Sequence, residues 1–215
     1  MKLDSIASIL IVIHASLGGI ALVLGGIALI AKKGGRIHKK FGKGFYYAML
    51  ISAILAFIVA VMPGHKSPFL FSIGLFSSYF LINGYRSLRF KRKGVDFRLD
   101  KFIAYFIILT GLTMVWYPIV LNGAINIVLF VFGLAGLCFG IRDIRLLRNP
   151  QQLRKKWLAI HLGSMTGGYI AAVTAFFVVN QILPELLNWF APTVVGSIYI
   201  TFWIVKVRKA KAPKA

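Results

Sequence analysis

An all-α polytopic membrane fold is what this sequence predicts: one domain of seven membrane-spanning helices occupying residues 1–215. Three observations predict it. Charge is scarce, apolar residues come in uninterrupted runs of spanning length, and basic residues crowd every second connection. The chain is 59% hydrophobic and 14% charged, with a mean hydropathy of +0.81. A soluble domain carries roughly a quarter charged residues. A hydrocarbon core about 30 Å thick takes about 20 apolar residues per helix, so seven such runs leave no room for a soluble domain. Strands of a membrane barrel would alternate over about ten residues, and nothing here alternates that way.

The first run, Ile6–Ala31, is too long for a secretory signal core and lacks both a strongly basic leader and a small-residue cleavage site. It reads as a retained first helix. The others are Gly44–Met62, Pro68–Leu88, Phe102–Val120, Gly123–Ile141, Trp157–Gln181 and Phe190–Val205. Each is bounded by charge, proline or both. Pro63, Pro68, Pro118, Pro150, Pro184 and Pro192 fall at or near these boundaries, where proline is best tolerated, and Pro213 lies in the tail.

Orientation follows from the basic residues. Of the 26 Lys and Arg, all but Lys2 and Lys66 lie in the connections after runs one, three and five, counting Arg86 at the very end of run three, or in the C-terminal tail. The positive-inside rule puts those segments in the cytoplasm and the N-terminus outside. The tryptophans agree, with Trp116 and Trp189 at outer ends and Trp157 and Trp203 at inner ends, as an interfacial aromatic belt requires.

The net charge of +21 is thereby explained by topology and by an anionic cytoplasmic leaflet, which attracts each nearby base by roughly 1 kcal/mol. A nucleic-acid site wants its charge on a folded surface with stacking aromatics. These loops are too short for that, and nucleic acid is not an expected partner.

Composition also narrows the chemistry. One cysteine, Cys138, excludes an intramolecular disulfide, a Cys-x-x-Cys motif and a cysteine-rich metal site; it reads as a small buried apolar side chain. No acidic or basic residue lies mid-helix, since Asp143 is at an inner end and Glu185 in an outer loop. Pumps, voltage sensors and ion-coupled transporters carry such charge. The last run has no lysine for a retinal Schiff base. No phosphate loop, dinucleotide fingerprint or hydrolase elbow appears.

Four histidines remain. His14 lies about 12 Å inside the first helix, at 1.5 Å per residue, on a stripe with Gly18, Ala21 and Gly25. The sixth helix repeats the pattern with His161, Met165, Gly168 and Ala172, and Trp157 one turn away. A polar ring on a Gly/Ala stripe faces the protein interior, because small residues admit close backbone approach. Such stripes serve helix packing, or they leave room for a cofactor with imidazole as ligand. His38 in the first cytoplasmic loop is placed by depth to meet His161. His65, in the outer turn Met62-Pro-Gly-His, is nearest His14. Two such pairs would suit electron passage through two b-type haems. His161 and Met165, at i and i+4, would alternatively offer adjacent donors to a soft metal such as copper.

Three stretches carry a resemblance: His14 through Lys-Lys-Gly-Gly-Arg-Ile-His38-Lys-Lys-Phe-Gly, Trp157-Leu-Ala-Ile-His161-Leu-Gly-Ser-Met165 onward to Phe176, and Ala191-Pro-Thr-Val-Val-Gly196. Together they resemble a family of predicted bacterial multi-helix membrane proteins classed as a domain of unknown function. The resemblance implies a bacterial inner-membrane location and marks His14, His38, His161 and Met165 as family positions, without an activity; His65 is outside the pattern. Three functions stay open: a membrane redox protein with a His-ligated haem or metal, a carrier for a small or lipidic molecule along the glycine stripes, and a non-catalytic scaffold or assembly factor.

Overall fold

A computed structural model describes residues 2–65 and 67–211; Lys66, Pro213 and Lys214, used above for topology, lie outside it. The described residues form seven α-helices and no strand: α1 Lys2–Ile30, α2 Arg36–Val61, α3 Pro68–Arg86, α4 Arg98–Asn122, α5 Ile127–Leu147, α6 Pro150–Asn180 and α7 Glu185–Lys211. A single 3-10 turn, Ser87–Arg89, follows α3. Among the described residues six helices, all but α3, are long and apolar enough to cross a membrane. This is a multi-pass helical architecture.

The helices begin where the sequence supplies acceptors for their free N–H groups. Ser67, Asn126 and Asn149 accept from Leu70, Leu129 and Gln152 at 3.2, 3.0 and 3.0 Å, with Pro68 and Pro150 next to the caps of α3 and α6. Gly123, at φ 64°, ends α4 in the left-handed conformation that glycine adopts without penalty.

Helix bounds differ from the apolar runs in a consistent way. Hydropathy marks only the part of a helix suited to hydrocarbon, whereas the backbone hydrogen bonds continue into charged flanks. α2 therefore starts at Arg36 rather than Gly44, α6 at Pro150 rather than Trp157, and α5 runs past Ile141 to Leu147. α5 starts later than expected because Gly123 and the Asn126 cap intervene. Two prolines expected near boundaries, Pro118 and Pro192, lie inside α4 and α7. Cys138, expected to be buried, is exposed: on α5 it falls on the side turned away from the closely packed Gly133, Gly136 and Gly140.

Three antiparallel pairs build the molecule, α1 with α2, α4 with α5 and α6 with α7, and α3 joins them by packing on α2, α4 and α6. The periphery is thin in protein contacts: only 11% of the apolar window of α1 and 6% of that of α7 is buried. Ile9, Val12, Val23, Val194, Val195 and Ile198 are accordingly exposed, a surface suited to lipid tails. α3 contrasts with them. It buries Phe76, Tyr79, Phe80 and Leu81 together with Ser77 and Asn83. A helix walled by other helices needs less hydrocarbon-facing surface, which is why α3 tolerates the polar residues that set it apart.

Glycine sets the closest approach. A Cβ on Gly111 of α4 would lie 2.6 Å from the Gly133 carbonyl oxygen of α5, and one on Gly133 would lie 2.8 Å from the Gly111 oxygen. The two backbones touch, which only a residue without a side chain permits.

Candidate functional site

The end of α1 supplies the first half of the site. The last four carbonyls of a helix have no partner in their own helix, and here the chain returns to cover them. Gly34, at φ 76°, turns the backbone so that the first residues of α2 come back against α1. His38 Nδ1 donates to the Ala28 carbonyl at 2.9 Å. Lys33 Nζ donates to the Leu29 carbonyl and sits 4.9 Å from the Trp203 ring centre. Tyr199 Oη donates to the same Leu29 oxygen at 2.8 Å. Burial at this corner holds the Lys33 ammonium below the usual lysine range.

The end of α3 supplies the second half by the same logic. The Gly84 carbonyl accepts from Ser87 Oγ at 2.7 Å and from His161 Nδ1 at 2.8 Å. A Cβ on Gly84 would lie 2.8 Å from Met165 Sδ and 3.0 Å from the Met165 backbone nitrogen. His161 and Met165, one turn apart on α6, thus both close on one glycine.

These two helix ends bring His38 and His161 together, with ring centres 6.4 Å apart and planes at 80°. Each ring is half-buried and spends its Nδ1–H on a main-chain carbonyl, so Nε2 is the nitrogen left for a ligand. Fixing one ring nitrogen through a carbonyl is how metal-ligating histidines are oriented. Metal–nitrogen bonds run about 2.0–2.1 Å, so two imidazoles on opposite sides of one ion have ring centres about 6 Å apart.

His14 is not part of this site. Its Nδ1 donates to both the Ser52 carbonyl (2.9 Å) and Ser52 Oγ (2.8 Å), and Ser52 Oγ donates back to the His14 carbonyl at 3.0 Å. Ser52 has no exposed surface; the pair is a reciprocal clasp between α1 and α2. His65 lies beyond the end of α2, and among the described residues no ring contact or hydrogen bond joins it to His14. The stripe residues sit at close contacts: Ala21, Gly25, Gly168 and Ala172 are buried and Gly18 is half-buried. Gly25 receives the Tyr169 ring, Gly168 receives Leu81, and Gly18 faces Ser52 Oγ.

Among the described residues no three His, Cys, Asp or Glu side chains gather at one point. The pair offers two imidazoles, and Met165, one turn along α6, carries a thioether packed against Gly84; imidazole and thioether are donors that suit copper.

Two groupings went unseen in the sequence. Asp143, 8% exposed, accepts from Tyr79 Oη (2.6 Å) and Asn83 Nδ2 (2.8 Å) on α3, and from its neighbour Arg142 at 2.8 Å. Asp100 takes a two-pronged bond from Arg86, at 2.6 and 2.7 Å. The available signal was scarcity: the chain has only five acidic residues, and these two stand at the edges of apolar runs.

A cleft of about 410 Å³ lies between α5 and the α6–α7 pair. Phe76, Phe132 and Phe139 line it with Gly163 and Gly167, while Arg142 borders it. No histidine lines it, so this cleft and the histidine pair are on different faces of α6. The Thr174 hydroxyl, buried among the lining residues, has no hydrogen-bond partner among the described residues.

No family model matches this chain, and no curated protein or solved structure matches it either.

Proposed function

We propose that this chain is a seven-span bacterial inner-membrane redox protein that holds one metal centre between His38 and His161. The observation that carries the reading is the 6.4 Å separation of the two rings, each with Nδ1–H committed to a helix-terminal carbonyl and Nε2 available. In this reading Met165 stands beside His161 as the third donor, and the metal is copper(I) rather than haem iron, because the space for a macrocycle lies on the opposite face of α6. Membership of the bacterial family that the sequence resembles is part of the same proposal. So is the topology, with α3 as the additional span, the N-terminus outside and the basic connections against an anionic cytoplasmic leaflet.

The first test is elemental analysis with a visible spectrum of the purified protein, oxidised and reduced. The expected result is about one copper per chain and no Soret band. A Soret band that shifts on reduction assigns haem instead. A colourless, metal-free protein that takes up neither added copper(I) nor haem removes the redox reading.

A further inference from the structure

We infer that the cleft between α5 and the α6–α7 pair binds an anionic phospholipid, its acyl chain along the phenylalanines and its phosphate at Arg142. The walls fit a chain. Phe132 and Phe139 stand on α5, Phe76 and Phe80 stand on α3, and the floor is the small-residue face of α6 at Gly163, Gly167 and Ala171. From Phe132 to Arg142 the helix rises about 15 Å, half the thickness of a hydrocarbon core. That is the depth of one leaflet.

Charge selects the headgroup. Arg142 is the one charged side chain among the described lining residues, and it is 43% exposed. Its Nε and Nη2 are held by Asp143 Oδ1 at 3.0 and 2.8 Å, and its guanidinium carbon lies 5.0 Å from the Phe139 ring centre. Of the guanidinium's five N–H donors, Asp143 Oδ1 takes two. Asp143 is itself fixed by Tyr79 and Asn83 on the neighbouring helix. The guanidinium is therefore held in place before a ligand arrives, with donors to spare, at the mouth of an apolar slot. A phosphate carried on a hydrocarbon chain satisfies both halves of the site; a free phosphate satisfies only one. The orphan Thr174 hydroxyl lies ten residues along α6 from Ser164, at the level of the tail, where it meets no headgroup.

This inference rests on the chain lying in a bilayer and not on the histidine pair, so a metal-free preparation leaves it standing. The test is native mass spectrometry of the full chain released from bilayers holding equal phosphatidylglycerol and phosphatidylcholine. The wild type should retain phosphatidylglycerol about tenfold over phosphatidylcholine, the factor that 1.4 kcal/mol represents. Arg142→Gln should bring that ratio to about one. Gly163→Leu, whose Cβ enters open space, keeps the Arg142–Asp143 pair and should remove bound lipid of either kind. Thr174→Val should change neither. Equal retention of the two lipids by the wild type overturns the inference, as does unchanged selectivity in a folded Arg142→Gln or unchanged retention in Gly163→Leu. Displacement of the lipid by excess inorganic phosphate assigns a bare anion site and overturns it too.

Discussion

His161 and Gly84 are joined across α6 and α3 by a 2.8 Å hydrogen bond from Nδ1 to the carbonyl oxygen, and the side chain one turn on, Met165, fills the space beside the same glycine. A single residue without a side chain therefore orients one proposed ligand and seats another.

Replacing Gly84 by alanine tests that coupling. The new Cβ would meet Met165 at 2.8 Å, including its Sδ, and its backbone nitrogen at 3.0 Å. Neither helix can recede without disturbing the His161 bond. Overpacking of this kind costs about 1–3 kcal/mol. Gly84→Ala should lower the melting temperature and weaken metal retention together; unchanged values of both would show that the contact relaxes freely.

The four histidines should separate by function. His161→Ala and His38→Ala should each abolish bound metal. His65→Ala should leave it intact. His14→Ala should keep the metal and lose stability, because it removes the ring that bonds the Ser52 carbonyl and hydroxyl across α1 and α2, a loss of about 1 kcal/mol. Metal analysis beside thermal denaturation reads both effects. Full metal in folded His161→Ala would sink the ligand assignment.

Asp143→Ala should be among the most damaging single changes. It removes the carboxylate that buried Tyr79 and Asn83 donate to and unpairs the part-exposed Arg142, and each buried group left without its charged partner costs about 1–3 kcal/mol. Tyr79→Phe, which removes one donor, should cost about 1 kcal/mol. Denaturation in mild detergent should rank them in that order.

Thr174→Val should be neutral or stabilising, an unusual outcome for a buried site. Thr174 is 2% exposed and its hydroxyl has no partner among the described residues, so its removal deletes a desolvated polar group at almost constant volume. A clear loss of stability would mean that the hydroxyl is satisfied in the membrane.

Topology has a direct readout. A reporter joined to the C-terminal tail should behave as cytoplasmic, and one inserted at the His65 turn as external. The reverse pattern would overturn the orientation drawn from Lys and Arg.

The helical architecture was legible because hydrophobic length is a one-dimensional property, and the runs centred near Leu22, Leu55 and Leu134 needed no partner to be recognised. Helix ends were less so, since Arg36, Arg98 and Pro150 belong to helices that leave the hydrocarbon while keeping their hydrogen bonds. For the site, equal depth along the chain placed His38 level with His161. The same reasoning joined His14 to His65 and missed Ser52, because depth says nothing about which way a helix is rotated. Asp143 stayed hidden for a related reason. Its partners Tyr79 and Asn83 are some sixty residues earlier, and only the docking of α3 on α5 and α6 brings them within reach.

The cover over the end of α1 carries a temporal consequence. Leu29 leaves the ribosome long before Tyr199, yet its carbonyl is closed by that residue, 170 residues later, and Trp203 adds its ring to Lys33 at the same corner. During synthesis the turn that aims His38 must wait, half-finished, for the last described helix to insert. A chain stopped before Tyr199 would carry both histidines and still lack the hydroxyl that covers Leu29, so this helix end is finished only once α7 is made.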